Sequence, residues 1–257
     1  MAIRSSPGRY PERRASGLPA VTPPVMQDIQ RSAQEDFGLD ILQLVENGGR
    51  ATSRVCLGML GGKGRLQRVL VLAGGGNKGA TGLSAARHLT NWGVAVEVVL
   101  GEVETEMSFA AQRHIKILSE AGIIQPTAAS SENTLEEHLR GADLIIDALV
   151  GYGLSGPPLG MAAAVTDLAM AAGRPVLAID VPTGVNAATG DRSHPSISAT
   201  TTIMLDLPKA GLLLPHCRVC TGELYLADLG IPRAVYERFG LSIEGLFSEG
   251  PIVKVRR

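Results

Sequence analysis

Three segments of this chain join ionisable side chains to glycine-containing turns. The first is Gly74-Gly75-Gly76-Asn77-Lys78-Gly79-Ala80-Thr81-Gly82, where glycine permits positive φ and lets a phosphate approach the backbone closely. The second runs from Asp147 through Gly151-Tyr152-Gly153-Leu154-Ser155-Gly156-Pro157-Pro158, and the third is Asp180-Val181-Pro182-Thr183-Gly184-Val185-Asn186. Carboxylates are hard oxygen ligands and tunable proton carriers, so Asp147 and Asp180 converging on one pocket would hold a cation or move a proton. The plain alternatives are an ordinary tight turn for the glycines and turn-capping for each aspartate. The first segment contains no GxxxxGK[ST] arrangement, and no acidic residue ends the strand that follows it, so neither nucleotide fingerprint is met. Cys217 and Cys220 form a CxxC after His216, but no second pair completes a zinc site, and the neighbourhood reads as a loop.

The elements that must position these residues alternate. Short apolar runs predict buried strands at Arg68–Ala73, Val94–Leu100, Leu144–Asp147 and Pro175–Asp180, with later strands at Thr201–Leu205 and Glu223–Ala227. Between them, helical patterns cover Leu83–Trp92, Ser108–Ala121 and Met161–Ala172. Before them, Thr22-Pro23-Pro24 predicts a helix start with a capping hydroxyl, running to about Phe37, and Asp40 caps a second helix carrying Ile41, Leu42, Leu44 and Val45. Gly61-Gly62-Lys63-Gly64 reads as a loop. Alternating strand and helix predict an α/β domain with a doubly wound, mostly parallel sheet. Ligands of such sheets collect beyond the carboxyl ends of the strands, where all three segments lie.

Composition narrows the class. The chain has 257 residues, 45% of them apolar and 4% aromatic, which suits one helix-covered sheet as a single domain over residues 21–257. A net charge of −1 supplies no field for nucleic acid, and no apolar run reaches membrane-span length, so neither nucleic acid nor membrane is an expected partner. Three cysteines form no disulfide framework, and a reducing, cytoplasmic setting is expected. Residues 1–20, with Arg4, Arg9, Arg13 and Arg14 among Ser, Pro and Gly, read as a disordered tail.

Taken together, these segments resemble the NAD(P)H-hydrate epimerase family, the YjeF-type amino-terminal domain. The resemblance is carried by Val45-Glu46-Asn47-Gly48-Gly49-Arg50, the glycine turn, the stretches from Asp147 and Asp180, Leu207-Pro208-Lys209-Ala210-Gly211, and Asp228-Leu229-Gly230-Ile231-Pro232. It implies a three-layer Rossmann-like domain, often a homodimer, that interconverts the R and S epimers of hydrated NADH or NADPH. The carbon inverted bears both a hydroxyl and the ring nitrogen, so loss of water or ring opening, then return on the other face, completes the reaction.

By resemblance, Asp180 is the catalytic acid/base and contacts substrate. Asn77, Lys78, Gly79, Ala80 and Thr81 stand in the substrate turn, and Gly151, Tyr152, Gly153, Leu154, Ser155, Gly156 and Pro157 form the substrate loop. Asp147 and Thr183 match positions that hold potassium. The family's turn usually reads GxGNNGGDG, so Lys78 replaces an asparagine that would bind potassium, Thr81 replaces an aspartate, and Ala80 adds a methyl where a backbone should approach the ligand. Two fates are open for Lys78. Its ammonium takes the place of the cation beside Asp147, or it points into solvent over a decayed site. The leading expectation is therefore an epimerase whose dependence on potassium is decided by Lys78; the alternative is a binding or scaffold module that has lost turnover. An NAD-dependent dehydrogenase stands third, because GxGxxG and the ribose-binding acid are missing.

Overall fold

The structure is a computed structural model and describes residues 10–61, 67–102, 104–124, 132–153 and 156–257. Its strands are β1 (Glu12–Arg14), β2 (Arg68–Ala73), β3 (Ala95–Leu100), β4 (Leu144–Ala148), β5 (Val176–Ile179), β6 (Thr201–Leu205), β7 (Glu223–Ala227) and β8 (Ile252–Arg256). Its α-helices are α1 (Pro23–Glu35), α2 (Ile41–Met59), α3 (Asn77–Asn91), α4 (Phe109–Glu120), α5 (Glu132–Gly141), α6 (Gly160–Ala171), α7 (Arg218–Thr221) and α8 (Arg233–Glu237). The strands make one sheet in the order β1-β8-β7-β6-β5-β4-β2-β3, parallel throughout except between β7 and β8. This is the mostly parallel, doubly wound α/β sheet that the alternating pattern predicts.

Strand side chains alternate between the two faces, and both faces are covered. Val69, Val71 and Ala73 of β2 join the core that includes residues of α1 to α4 and α8. Leu70 and Leu72 instead meet Leu135 and Leu139 of α5 and Val165 and Ala169 of α6. The result is three layers. Chain order reverses beside β2, which has β3 on one side and β4 on the other. In that register Leu72 lies opposite Asp147, and Asp147 lies opposite Ala178 of β5. The carboxyl ends of β2, β4 and β5 therefore place the three chemical segments at one switch point, where open α/β sheets bind their ligands.

Several elements differ from the sequence reading. The segment assigned to a disordered tail contains β1, which pairs in parallel with β8, and Tyr10 packs edge-on against Tyr225. Three paired residues and an aromatic contact suffice to hold Glu12–Arg14 on the sheet edge; residues 1–9 lie outside the described residues, as do Gly62, Lys63 and Gly64. Thr22 sits at the start of α1 without a side-chain capping bond, leaving proline to begin that helix. Asp40 does cap α2: its carboxylate accepts from Leu42 N at 2.7 Å, while Gln43 Oε1 accepts from Asp40 N at 2.8 Å. Helix α3 begins at Asn77 rather than near Leu83, so most of the glycine turn is helical, and none of its glycines has positive φ. The CxxC is not a loop either: Cys217 ends a short 3-10 turn, Cys220 lies in α7, and both thiols are buried and free.

What the early glycines provide is closeness. Gly48 and Gly49 let α2 lie against α3, and a Cβ on Gly49 would sit 2.3 Å from Ser84 Oγ and 2.5 Å from Ser84 Cβ. Glu46, one turn earlier, accepts hydrogen bonds from Ser84 and Arg87 and meets His88 Nε2 at 2.8 Å. Burial alone would raise the Glu46 pKa, but its Arg87, Ser84 and His88 partners bring it down to about 2. Helix propensity and packing make opposite demands along α2, which gives a paired expectation. Gly58→Ala, with nothing within 4 Å of its added Cβ, stabilises the fold by up to about 1 kcal/mol in a denaturant titration. Gly49→Ala, with the same propensity gain, destabilises it by roughly 2 kcal/mol or more because Ser84 cannot yield.

Candidate active site

At the switch point lies a cavity of about 380 Å³, within the range of small-ligand pockets. Its wall includes Gly76 and Asn77 at the start of α3, so the unpaired N–H groups of a helix amino terminus belong to the site. Lys78 lines the same cavity, yet its side chain is only 6% exposed. Its ammonium donates to Val181 O at 2.7 Å, Val150 O at 3.0 Å, Asp147 Oδ2 at 3.1 Å and Thr183 Oγ1 at 3.3 Å. Burial pulls the Lys78 pKa below its ordinary value, and Asp147 opposes that through its charge and hydrogen bond. Of the two fates open for Lys78, the solvent-facing one is overturned.

Asp147 has no exposure at all, so its carboxylate must find every partner within the protein. Thr183 supplies two, from Oγ1 at 2.6 Å and from N at 2.8 Å, and Leu149 N lies 3.2 Å away. Because the Thr183 hydroxyl donates to Asp147, its lone pairs remain for Lys78 and for Val150 N at 3.1 Å. Asp147, Thr183 and Lys78 are thus brought together as a single unit. The resemblance would put a potassium ion between Asp147 and Thr183, and these residues do not fit one. The oxygens that would face it already accept from an ammonium.

Asp180 lies at the end of β5, 4% exposed, lining the cavity. Its φ is +61°, a left-handed conformation that aspartate tolerates better than most residues. Oδ1 accepts from Leu205 N at 3.0 Å and from Lys209 Nζ at 2.5 Å. Among the described residues Oδ2 has no hydrogen-bond partner, so one oxygen is anchored and the other is available. Lys209 is fully buried; it also donates to Leu205 O at 2.7 Å and stands 5.1 Å from the centre of the Tyr152 ring. Its place depends on the segment before α1, where Val21 N donates to Pro208 O and Ala210 N to Val21 O, both at 2.9 Å. Tyr152 in turn donates to Gln30 Oε1 of α1 at 2.8 Å, tying the segment after β4 to that helix. Burial first, then the Asp180 and Asp206 charges, push the Tyr152 phenol up, so it remains a donor.

The sequence-derived residues divide. Asn77, Lys78, Thr81, Gly151, Tyr152, Gly153 and Asp180 line the cavity. Gly79 and Ala80 do not: both are buried in α3, and a Cβ on Gly79 would lie 1.7 Å from Gly74 O, so that glycine serves packing. Ala80 is helical, and its methyl strains no turn. Gly156 and Pro157 are exposed and outside the cavity wall, whereas Leu154 and Ser155 lie outside the described residues. Thr81 turns its hydroxyl back to Asn77 O at 2.9 Å. Gln27, Gln30 and Glu102 join the wall unexpected. Glu102 stands two residues past β3, so an acid does follow the second strand, although none ends it. Lys209 belongs to the Leu207–Gly211 motif, and its signal in the sequence is a lysine three residues past the aspartate that follows β6, Asp206.

A doubly wound sheet with a helix amino terminus and two strand-end aspartates at its switch point defines a domain of the Rossmann-like class. The chain belongs to the YjeF-related protein N-terminus family, whose match spans residues 41–211. It is 37% identical to an NAD(P)H-hydrate epimerase of Dehalogenimonas lykanthroporepellens over 96% of this chain and 97% of that protein. It is 31% identical to an NAD(P)H-hydrate epimerase of Rhodopirellula baltica, covering 87% of this chain and 89% of the relative. A bifunctional NAD(P)H-hydrate repair enzyme of Moorella thermoacetica is 33% identical over 83% of this chain, which spans 41% of that longer protein. The fold matches the crystal structure of the yeast protein YNL200c with a TM-score of 0.79 at 24% identity, covering 92% of this chain and all of that one.

One more aspartate supports the Asp180 wall. Asp206 follows β6, fully buried, at φ +68°; Tyr236 donates to Oδ1, and Oδ2 has no partner among the described residues. Burial, partly offset by Tyr236 and Lys209, raises its pKa from 3.8 to about 7. A carboxyl harder to ionise folded than unfolded stabilises the fold fully below pH 3.8 and loses that contribution as pH rises through about 7. Asp206→Asn, which keeps the left-handed backbone, is therefore expected to exceed the native chain in stability above pH 7, by on the order of a few kcal/mol, with the gap closing toward pH 4. Chemical denaturation across that pH range checks it.

Proposed function

We propose that this chain is an NAD(P)H-hydrate epimerase, an isomerase of nicotinamide-nucleotide repair, with Asp180 as its acid/base. The observation that carries the reading is Asp180 itself, with one oxygen fixed by Lys209 and Leu205 and the other without a protein partner, on the wall of the switch-point cavity. The substrate carbon bears a hydroxyl and the ring nitrogen. When the carboxyl proton reaches that hydroxyl, water leaves and the nitrogen lone pair stabilises the cationic carbon. Water returning on the opposite face gives a proton back, so one carboxyl group serves both directions and nothing is consumed. Lys209 is a positioning residue that fixes the anchored oxygen. The amino terminus of α3 offers N–H groups to the substrate's phosphates.

The same reading takes the acting form as a homodimer and its setting as the cytoplasm, in keeping with three free thiols, all buried. Among the described residues no helix is long and apolar enough to cross a membrane. Thr81, turned back onto its own helix, is the feature that favours the second reading, a binding module without turnover.

Purified protein supplied with the separated R epimer of hydrated NADH is expected to speed formation of the S epimer above the spontaneous rate. Asp180→Asn retains the fold and lowers turnover by roughly 10²–10⁴-fold. Conversion at the spontaneous rate by the native chain would select the binding module, and full turnover by Asp180→Asn would remove Asp180 from its role.

A further inference from the structure

We infer that the Lys78 ammonium is the built-in cation of this site: it fills an oxygen cage formed by the two segments that end β4 and follow β5, so the site needs no potassium and rejects it. The cage has four members, the Asp147 carboxylate, the Val150 and Val181 carbonyls and the Thr183 hydroxyl, at 2.7 to 3.3 Å from Nζ. All four present lone pairs to one point, an arrangement that demands a cation. Among the described residues neither carbonyl accepts a backbone N–H, so if Lys78 withdrew Val181 O would lose its donor and Val150 O would keep only the long 3.4 Å contact from the Thr183 hydroxyl. Lysine meets the demand with positive charge and three donors on a chain long enough to reach from α3.

Position and charge both exclude a second cation. An ion sharing Asp147 with Lys78 would stand about 4 Å or less from another unit charge, which at the effective dielectric of a protein site lowers its affinity roughly a thousandfold. Each of the two buried carboxylates flanking the cage already has its own ammonium, Lys78 for Asp147 and Lys209 for Asp180. The cage also matters to the cavity. Val181 adjoins Asp180, Val150 adjoins the Gly151–Gly153 wall, and the Lys78 stem passes Gly151 at van der Waals distance, with an added Cβ there 3.5 Å from Lys78 Cβ. Lys78 is thus a positioning residue that holds the loops on either side of the cavity without an exchangeable ion.

The test uses the whole native chain and no substrate, so it stands apart from the epimerase reading that gives the cage its purpose. Thermal unfolding in potassium, sodium and tetramethylammonium chloride at equal ionic strength is expected to give one Tm, and calorimetric titration with potassium chloride no binding heat. A potassium-specific rise in Tm or a saturable isotherm would overturn the inference. Lys78→Asn supplies an acceptor oxygen in place of the ammonium and is expected to gain a potassium-specific Tm rise, roughly 5–10 °C at about a hundredfold excess over its dissociation constant. Lys78→Met keeps a long side chain over the cage but brings neither charge nor oxygen, and gains no such rise. A folded Lys78→Asn that ignores potassium would contradict the cation-cage assignment, and the native-chain measurement decides the matter even where the variants fail to fold.

Discussion

Asp147 is a carboxylate at the carboxyl end of a central strand with no contact to water, and the site is arranged around the need to satisfy it. Its partners come from three places: Lys78 on α3, Leu149 in its own loop, and the backbone and hydroxyl of Thr183 after β5. Each partner fixes one loop of the cavity. Removing one would leave a buried charge short of a donor, a defect far more costly than the loss of an exposed ion pair. Local satisfaction of one charge therefore becomes alignment of the whole pocket, and Asp180, three residues before Thr183, is held with it.

A second buried pair does similar work for Asp180. Lys209 and Asp180 are joined at the cavity wall, and Lys209 is placed by the backbone hydrogen bonds that its neighbours Pro208 and Ala210 make with Val21. The left-handed turns at Asp180 and Asp206 let β5 and β6 end abruptly, so the Asp180 side chain receives the Leu205 N–H across the strand ends. These conformations carry a cost on the order of 1 kcal/mol or more each, and the surrounding hydrogen bonds sustain them.

Much of this was legible in the sequence because it rests on local pattern. The short apolar runs marked β2, β4, β5, β6 and β7, and an aspartate or glycine after several of them marked the ligand-facing ends. The glycine turn departs from its sequence pattern for a physical reason: Gly79 and Gly82 look like loop residues, but they are small so that α3 can approach the sheet. β1 and β8 escaped notice because a strand at or near a sheet edge needs little apolar length, and Arg13 and Lys254 interrupt their patterns. Lys78 was visible as a departure from the family's motif, but its tip could not be placed without the facing loops. Lys209 and Gln30 depended on contacts across 29 and 122 residues of chain, which no local pattern reports.

The central claim is that an ammonium belonging to the protein has taken over the duty of a bound cation without ending the chemistry beside it. The most direct measurement is the rate of R-to-S conversion of hydrated NADH by the native chain, titrated with potassium from a potassium-free start at constant ionic strength. The account predicts catalysis in the absence of potassium and a flat response as it is added. Turnover that appears only with potassium, and saturates with it, would contradict the account.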